Sequence, residues 1–242
     1  MQLLIPMVLY RKSNESENKM ERAEKEQLLS QAFPFWGKLT KEEQEQMVDQ
    51  LGKVQHKKGE IQYHGGQNCS GVEVIVKGRQ RIFLTSPNGG EITLYRLLPG
   101  DVCILSAACM IKNLNLETHV EYEEDTIAYY VPKQLFKAIS DQNAQVKEYV
   151  LELVSEKFSD VMWLFNQYMF TNMAKRLADA LLEHRALAGS DQLNITHEIL
   201  AKDLGTAREV VTRLLKQFQI DGIVHLSRGE IHITDMNKLL QI

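Results

Sequence analysis

The chain is poor in cysteine. Cys69, Cys103 and Cys109 are the only three in 242 residues, with no CxxC pair and no histidine at zinc spacing. That arrangement excludes a disulfide framework and a structural zinc centre, so no metal ligand is assigned. Histidines are equally scattered: His56, His64 and His119 stand apart, without the HxH pair and nearby glutamate of a metal-dependent cupin enzyme. There is no Gly-rich phosphate loop, G-x-S-x-G elbow or HExxH helix either. The usual signatures of an enzyme are missing, and no catalytic residue is assigned.

Long apolar runs are missing too. Met1 to Tyr10 and Val102 to Ile111 reach about half the length of a bilayer-spanning helix, so no membrane partner is expected. The first ten residues lack a basic flank, and Arg11 to Lys19 offers no small-residue cleavage site. A signal peptide is therefore not expected, and the chain reads as cytoplasmic. Residues 1–22 are read as a disordered tail, with Met20 an alternative start. A large excess of charge of one sign is also lacking. The net charge is -4, with 44% hydrophobic and 25% charged residues, which describes an ordinary globular chain of one large or two small domains. The small negative sum leaves a nucleic-acid partner open, because the charge of the contacting face governs such binding.

What is present falls into three blocks. From Val54 to Val131 short runs alternate with period two: Val72, Val74 and Val76 against Glu73 and Lys77, then Ile82 and Leu84, then Ile92 and Leu94. Asn88-Gly89 between two of these runs is a hairpin signal, and glycines at 59, 65, 66, 78 and 100 punctuate the rest. The pattern predicts a small antiparallel barrel or jelly roll with helical flanks. From Asp141 to Phe170 there is neither proline nor glycine, and Leu151, Val154, Phe158, Val161, Phe165 and Tyr168 recur at alternating spacings of three and four. This is a heptad seam, suited to a two-stranded dimer interface or to a helix lying on its own domain. The neighbouring Val150, Leu153, Met162, Leu164 and Met169 widen the stripe enough for both.

The third block carries the chemistry. Thr196 can cap a helix over Thr196–Leu204, and Gly205 supplies the left-handed residue that ends it. Thr206 with Glu209 three positions on predicts a capping box opening a second helix. In that helix Val210, Val211, Leu214, Leu215 and Phe218 share one face, leaving Arg208, Glu209, Thr212, Arg213, Lys216 and Gln217 on the other. An α-helix fits the major groove, where arginine can pair bidentately with guanine and a carboxylate can accept from the cytosine amino group. The alternative is a solvated face tied by a Glu209–Arg213 pair. Ile223 to Leu226 and Glu230 to Ile233 then predict a hairpin with Arg228 at its tip, placed to meet a phosphate. The order is that of a winged helix-turn-helix.

The segment Gly205-Thr206-Ala207-Arg208-Glu209-Val210-Val211-Thr212-Arg213 resembles the recognition motif of the catabolite activator and fumarate/nitrate regulator (Crp/Fnr) family of bacterial transcription regulators. Lys58-Gly59-Glu60, Leu98-Pro99-Gly100-Asp101, Lys175-Arg176-Leu177-Ala178 and the upstream Phe33-Pro34-Phe35-Trp36 follow the family's order, so the resemblance covers about residues 30 to 240. It implies an α+β chain: a cyclic-nucleotide-binding-like β-barrel as effector domain (23–140), a dimerisation helix (141–170) and a winged helix-turn-helix DNA-binding domain (171–242). It also implies a homodimer on palindromic double-stranded promoter DNA, with RNA polymerase as a further partner. Thr206, Ala207, Arg208, Glu209, Thr212, Arg213, Lys216 and Arg228 would form the DNA contact, Arg208, Glu209 and Arg213 by way of the bases.

The effector remains unknown. Cyclic-nucleotide-binding members carry Gly-Glu soon after Gly-Asp and an arginine about ten residues later. Here Ile104-Leu105 stands in the first place and Glu117-Thr118 in the second, within a run from Asn113 to Asp125 that holds five acids and no Lys or Arg. A phosphate would be repelled, so cyclic AMP and cyclic GMP are not expected and no cofactor is assigned. Residues 1–68 contain no cysteine, unlike the cluster of the iron-sulfur relatives, and no haem-ligand pattern is matched. Cys103 and Cys109 read as small hydrophobes in an apolar run, with redox activity the alternative.

Overall fold

A computed structural model describes residues 22–64, 71–103 and 118–242. The expected tail (apart from Arg22), Cys69, Cys109, Ile104-Leu105 and Glu117 lie outside the described residues. The chain divides into two units, residues 1–80 with 96–156 and residues 81–95 with 157–242.

The first unit opens with α1 (Arg22–Ala32), a 3-10 turn (Trp36–Lys38) and α2 (Lys41–Asp49). A capping box starts α2: the Thr40 hydroxyl accepts from the Glu43 amide, and the Glu43 carboxylate accepts from the Thr40 amide. Strand β1 (Gly52–His56) pairs antiparallel with β8 (Thr126–Pro132), which pairs with β3 (Gly71–Lys77), whose other edge takes β6 (Val102–Cys103). Strand β2 (Ile61–His64) pairs antiparallel with β7 (Thr118–Tyr122), while β4 (Gln80–Thr85) and β5 (Glu91–Leu97) form the hairpin whose residues 81–95 fall in the second unit. Among the described residues the strands form open sheets, where the sequence leads one to expect a barrel.

Val72 and Val74 are buried beside Val131, as the alternation predicts, under a cover of aromatic rings. Phe33 stacks on Phe35 with centroids 5.2 Å apart, and Tyr149 meets both edge-on at 6.0 and 5.1 Å. Such pairs add about 1 kcal/mol beyond their area. Ile75, on the opposite face of β3, is also fully buried, which the simple alternation of valines against polar residues did not foresee.

One helix, α4 (Ala144–Phe170), fills nearly all of the span expected over 141–170, and a separate α3 (Lys133–Gln142) ends just before it. Between them Asn143 is extended, and its side-chain oxygen accepts from the amides of Gln145 and Val146 at 3.0 and 3.4 Å. An N-cap asparagine thus starts α4. Among the described residues no helix is long and apolar enough to cross a membrane.

The second unit is discontinuous in the chain. The helical part comprises the end of α4, then α5 (Met173–Ala188), α6 (His197–Leu204), α7 (Arg208–Ile220) and a short α8 (Met236–Leu240). Its sheet has the order β10-β11-β9, from β10 (Val224–Ser227), β11 (Glu230–Ile233) and a two-residue strand β9 (Gln192–Leu193). Leu177, Leu181, Leu200, Val211, Leu215 and Ile231 are all at most 1% exposed and form its core. The hairpin of β4 and β5, turned at Gly89 (φ 79°) as expected, contributes residues 81–95 to this same unit. There Thr93 donates to the Asp203 carboxylate at 2.6 Å, His184 Nε2 lies 2.7 Å from the other oxygen, and Glu91 bridges Arg81 and Lys202.

Candidate nucleic-acid interface

Helix α6 begins where the sequence predicts a cap. The Thr196 hydroxyl accepts from the Ile199 amide at 3.2 Å, and buried Ile195 anchors the preceding turn. The helix ends on Gly205 at φ 59°, whose amide donates to Ala201 and Lys202 carbonyls. Leu204's carbonyl is held by Tyr168's hydroxyl and by Arg176 Nη2 at 2.6 Å, and Arg176 lies over the Tyr168 ring. The turn into α7 is therefore fixed from outside as well as by its glycine.

The predicted Thr206–Glu209 capping box does not form. Ala207 is the N-cap of α7, extended at φ -79°, ψ 143°, with no side-chain cap. The tight turn after Gly205 uses Thr206, whose amide donates to the Ala201 carbonyl, so the helix starts one residue later than a box requires. Glu209 then lies in the first turn with its carboxylate uncommitted to the backbone, where it meets the positive end of the helix.

From Arg208 onward the two faces separate as read from the sequence. Val211, Leu215 and Phe218 are buried, while Arg208, Glu209, Arg213, Lys216 and Gln217 are exposed and Thr212 is half-buried. No ion pair joins Glu209 to Arg213 among the described residues. Arg208, Glu209, Thr212, Arg213 and Lys216 border one open concavity of about 490 Å³ with Gln217 and Ile220. Thr206, Ala207 and Arg228 lie outside it; Arg228 is exposed at the tip of the β10–β11 hairpin, next to Gly229 at φ 78°. A residue missed in the sequence joins the site: His197 Nδ1 is 2.9 Å from the Thr212 hydroxyl. Burial first, then the charges of Arg208 and Lys216, hold its imidazole below the ordinary histidine value. Nothing in the sequence signals this pair, because only the turn between α6 and α7 brings position 197 to position 212.

Along α4, Leu151, Phe158, Val161 and Phe165 are 66%, 64%, 36% and 56% exposed, and Val154 is half-buried. Four of the six seam residues are thus exposed. Tyr168 is half-buried like Val154, with its hydroxyl and ring engaged by Leu204 and Arg176.

In the first unit the acidic run is largely paired. Glu123 accepts from Arg79 and Arg96, Glu124 pairs with Arg79, and Asp125 accepts from Lys57 and the Lys58 amide. Neutralisation by these cations weakens the repulsion that the bare sequence suggests. Thr118, near the place where cyclic-nucleotide-binding members carry an arginine, is fully buried, and its hydroxyl has no hydrogen-bond partner among the described residues. Cys103 is buried, in keeping with a small hydrophobe.

A short helix, a glycine turn, an exposed basic helix and a wing behind a β-rich domain define a DNA-binding regulator. Residues 53–143 match the cyclic nucleotide-binding domain family and residues 175–242 the Crp-like helix-turn-helix domain family. A solved chain from Eubacterium rectale ATCC 33656, assigned to transcriptional regulators of the Crp/Fnr family, is 40% identical with a TM-score of 0.82, covering 87% of this chain and 97% of that one. A cyclic AMP receptor protein of Thermus thermophilus is 22% identical, covering 86% of this chain and 96% of the relative. The transcriptional activator protein anr of Pseudomonas aeruginosa is 25% identical over 76% of this chain and 77% of its own. The chain belongs to the Crp/Fnr family of transcription regulators.

Proposed function

We propose that the protein binds a palindromic operator as a homodimer, in the cytoplasm, under control of an effector sensed by its N-terminal unit. The observation that carries the reading is the outer face of α7, where exposed Arg208, Glu209, Arg213 and Lys216 stand on buried Val211, Leu215 and Phe218. A helix so anchored presents arginines to guanine and a carboxylate to cytosine while Arg228 reaches a phosphate. Ala207 and Thr206 lie at the helix start, where the chain passes the phosphate backbone.

The apolar face of Leu151, Phe158, Val161 and Phe165 is what a second copy would cover, and it sets two α7 helices about one DNA turn apart. RNA polymerase is the further partner of such a complex at a promoter. The effector is a small molecule other than cyclic AMP or cyclic GMP, and no cofactor is required. Support comes from Glu117 in place of an arginine and Ile104-Leu105 in place of Gly-Glu. The name of the Thermus relative points the other way, to cyclic AMP, and a thermal-shift titration separates the two: no stabilisation at millimolar nucleotide is expected.

Selection of binding sites from a random duplex library with the purified protein tests the main reading. A palindrome with half-sites about 10 base pairs apart is expected. Recovery of no preferred sequence, at any metabolite supplement, overturns it.

A further inference from the structure

We propose that His197 is a positioning residue for the Thr212 hydroxyl and that DNA binding at this helix takes up a proton on it. The inference rests on the assignment of α7 as the DNA reader.

Thr212 lies among Arg208, Glu209, Arg213 and Lys216 on the reading face, and His197 Nδ1 is 2.9 Å from its hydroxyl oxygen. The hydrogen bond can run two ways. With Nδ1 unprotonated, the threonine hydroxyl donates to it and offers the DNA only lone pairs, which suit an adenine or cytosine amino group. With the ring protonated, Nδ1–H donates to the hydroxyl oxygen, and the threonine hydrogen turns outward to a guanine or thymine acceptor or to a phosphate. Protonation thus fixes Nδ1 as the donor, whereas the neutral ring in its Nε2–H tautomer accepts from Thr212.

The surroundings bias that choice oppositely in the free and bound states. Partial burial favours the neutral ring of His197, and so, to a smaller extent, do the cationic Arg208 and Lys216 of α7. On its own helix the neighbouring charge is Glu198, one position on and exposed; His197 has no ion pair with it among the described residues. A duplex brings phosphates to the same cations and cancels their repulsion, so the bound state favours the charged ring. Binding then draws a proton from solvent.

The test uses the full-length protein and a fluorescein-labelled 30-base-pair duplex carrying the selected palindrome, titrated by anisotropy at fixed ionic strength from pH 7.5 to 5.5. Affinity should rise as pH falls, by up to about tenfold per half-site if binding raises the imidazole pKa by about one. His197→Gln should flatten that profile, and Thr212→Val should abolish the change in base preference between the two pH limits. Nuclear magnetic resonance titration of the wild-type imidazole, free and bound, gives a reading that needs no variant to fold: its midpoint should move up on binding. An unmoved midpoint, or a pH profile identical in wild type and His197→Gln, overturns the proposal. Failure of the wild type to bind any duplex overturns the assignment of α7 instead.

Discussion

Thr93 and Asp203, 110 positions apart, are joined by a 2.6 Å hydrogen bond in which the hydroxyl donates to the carboxylate. Both side chains are nearly buried, at 8% and 9% exposure, and the second carboxylate oxygen faces His184. Asp203→Ala should cost about 2 kcal/mol, because it leaves a buried hydroxyl and an imidazole without their acceptor. Thr93→Val should cost about half as much, since Asp203 keeps His184. Urea unfolding followed by circular dichroism measures both, and equal stability of Asp203→Ala and wild type would contradict the assigned role.

Gly205 sits at φ 59°, and a Cβ there would run into the Tyr168 hydroxyl and approach Ile92. Gly205→Ala therefore combines backbone strain with a clash at the turn that aims α7. A loss of at least about 1 kcal/mol is expected, with weakened DNA binding even where the protein stays folded. Gly59→Ala serves as the comparison: its φ is 86° but a Cβ meets nothing within 4 Å, so only backbone strain applies.

If the α4 seam is the contact between copies, Phe158→Glu should give monomers in light scattering after gel filtration and lower DNA affinity by the loss of a second half-site. Phe158 is 64% exposed, so the substitution leaves the core intact. Monomeric wild-type protein at tens of micromolar would remove the interface from the proposal.

Glu73 provides a pH test within the first unit. Burial raises its carboxyl above the ordinary value of 4.5, against smaller opposing effects. Between 4.5 and the folded value the native state binds more protons than the unfolded state, so this group's contribution to stability falls as pH rises. The penalty of the buried carboxylate therefore grows as pH rises above 4.5. Glu73→Gln should raise the melting temperature at pH 7, with a gain that shrinks toward pH 4.5; no gain at pH 7 would refute the account.

Arg213 and Arg228 should fail differently. Arg213→Ala is expected to cost about 1–3 kcal/mol at one base pair of each half-site and to relax preference there. Arg228→Ala should weaken all sequences alike and reduce the salt slope by about one per site. Repeating the site selection with each variant, and titrating salt, separates the two.

Much of this was legible in the sequence where local rules suffice. Asn88-Gly89, Thr196, Gly205 and the split of α7 into apolar and polar faces follow from turn, cap and periodicity chemistry, and the structure places all of them as expected. The failures have physical causes. The helix start at Ala207 depends on how tightly the chain turns after Gly205, and the Thr206–Glu209 spacing carries no record of that. Strand β9 is two residues long and exists only through its pairing with Ile231 and His232. The helix start at Asn143 was readable, since asparagine is a favoured N-cap, but the seam from Leu151 onward places no boundary there. His197 and Thr212, like Thr93 and Asp203, are long-range pairs that no local pattern announces.

The grouping of residues 81–95 with 157–242 bears on how this reader can be moved between proteins. A fragment cut at residue 171 would look complete by motif, with all of α5 to α8 and the wing. It would nonetheless leave behind Thr93 and Glu91, and with them the partners of Asp203 and Lys202, as well as Tyr168, which holds the Leu204 carbonyl. The DNA reader is thus not a cassette that can be excised from one stretch of gene; transplanting it intact would require carrying a hairpin encoded some hundred codons upstream.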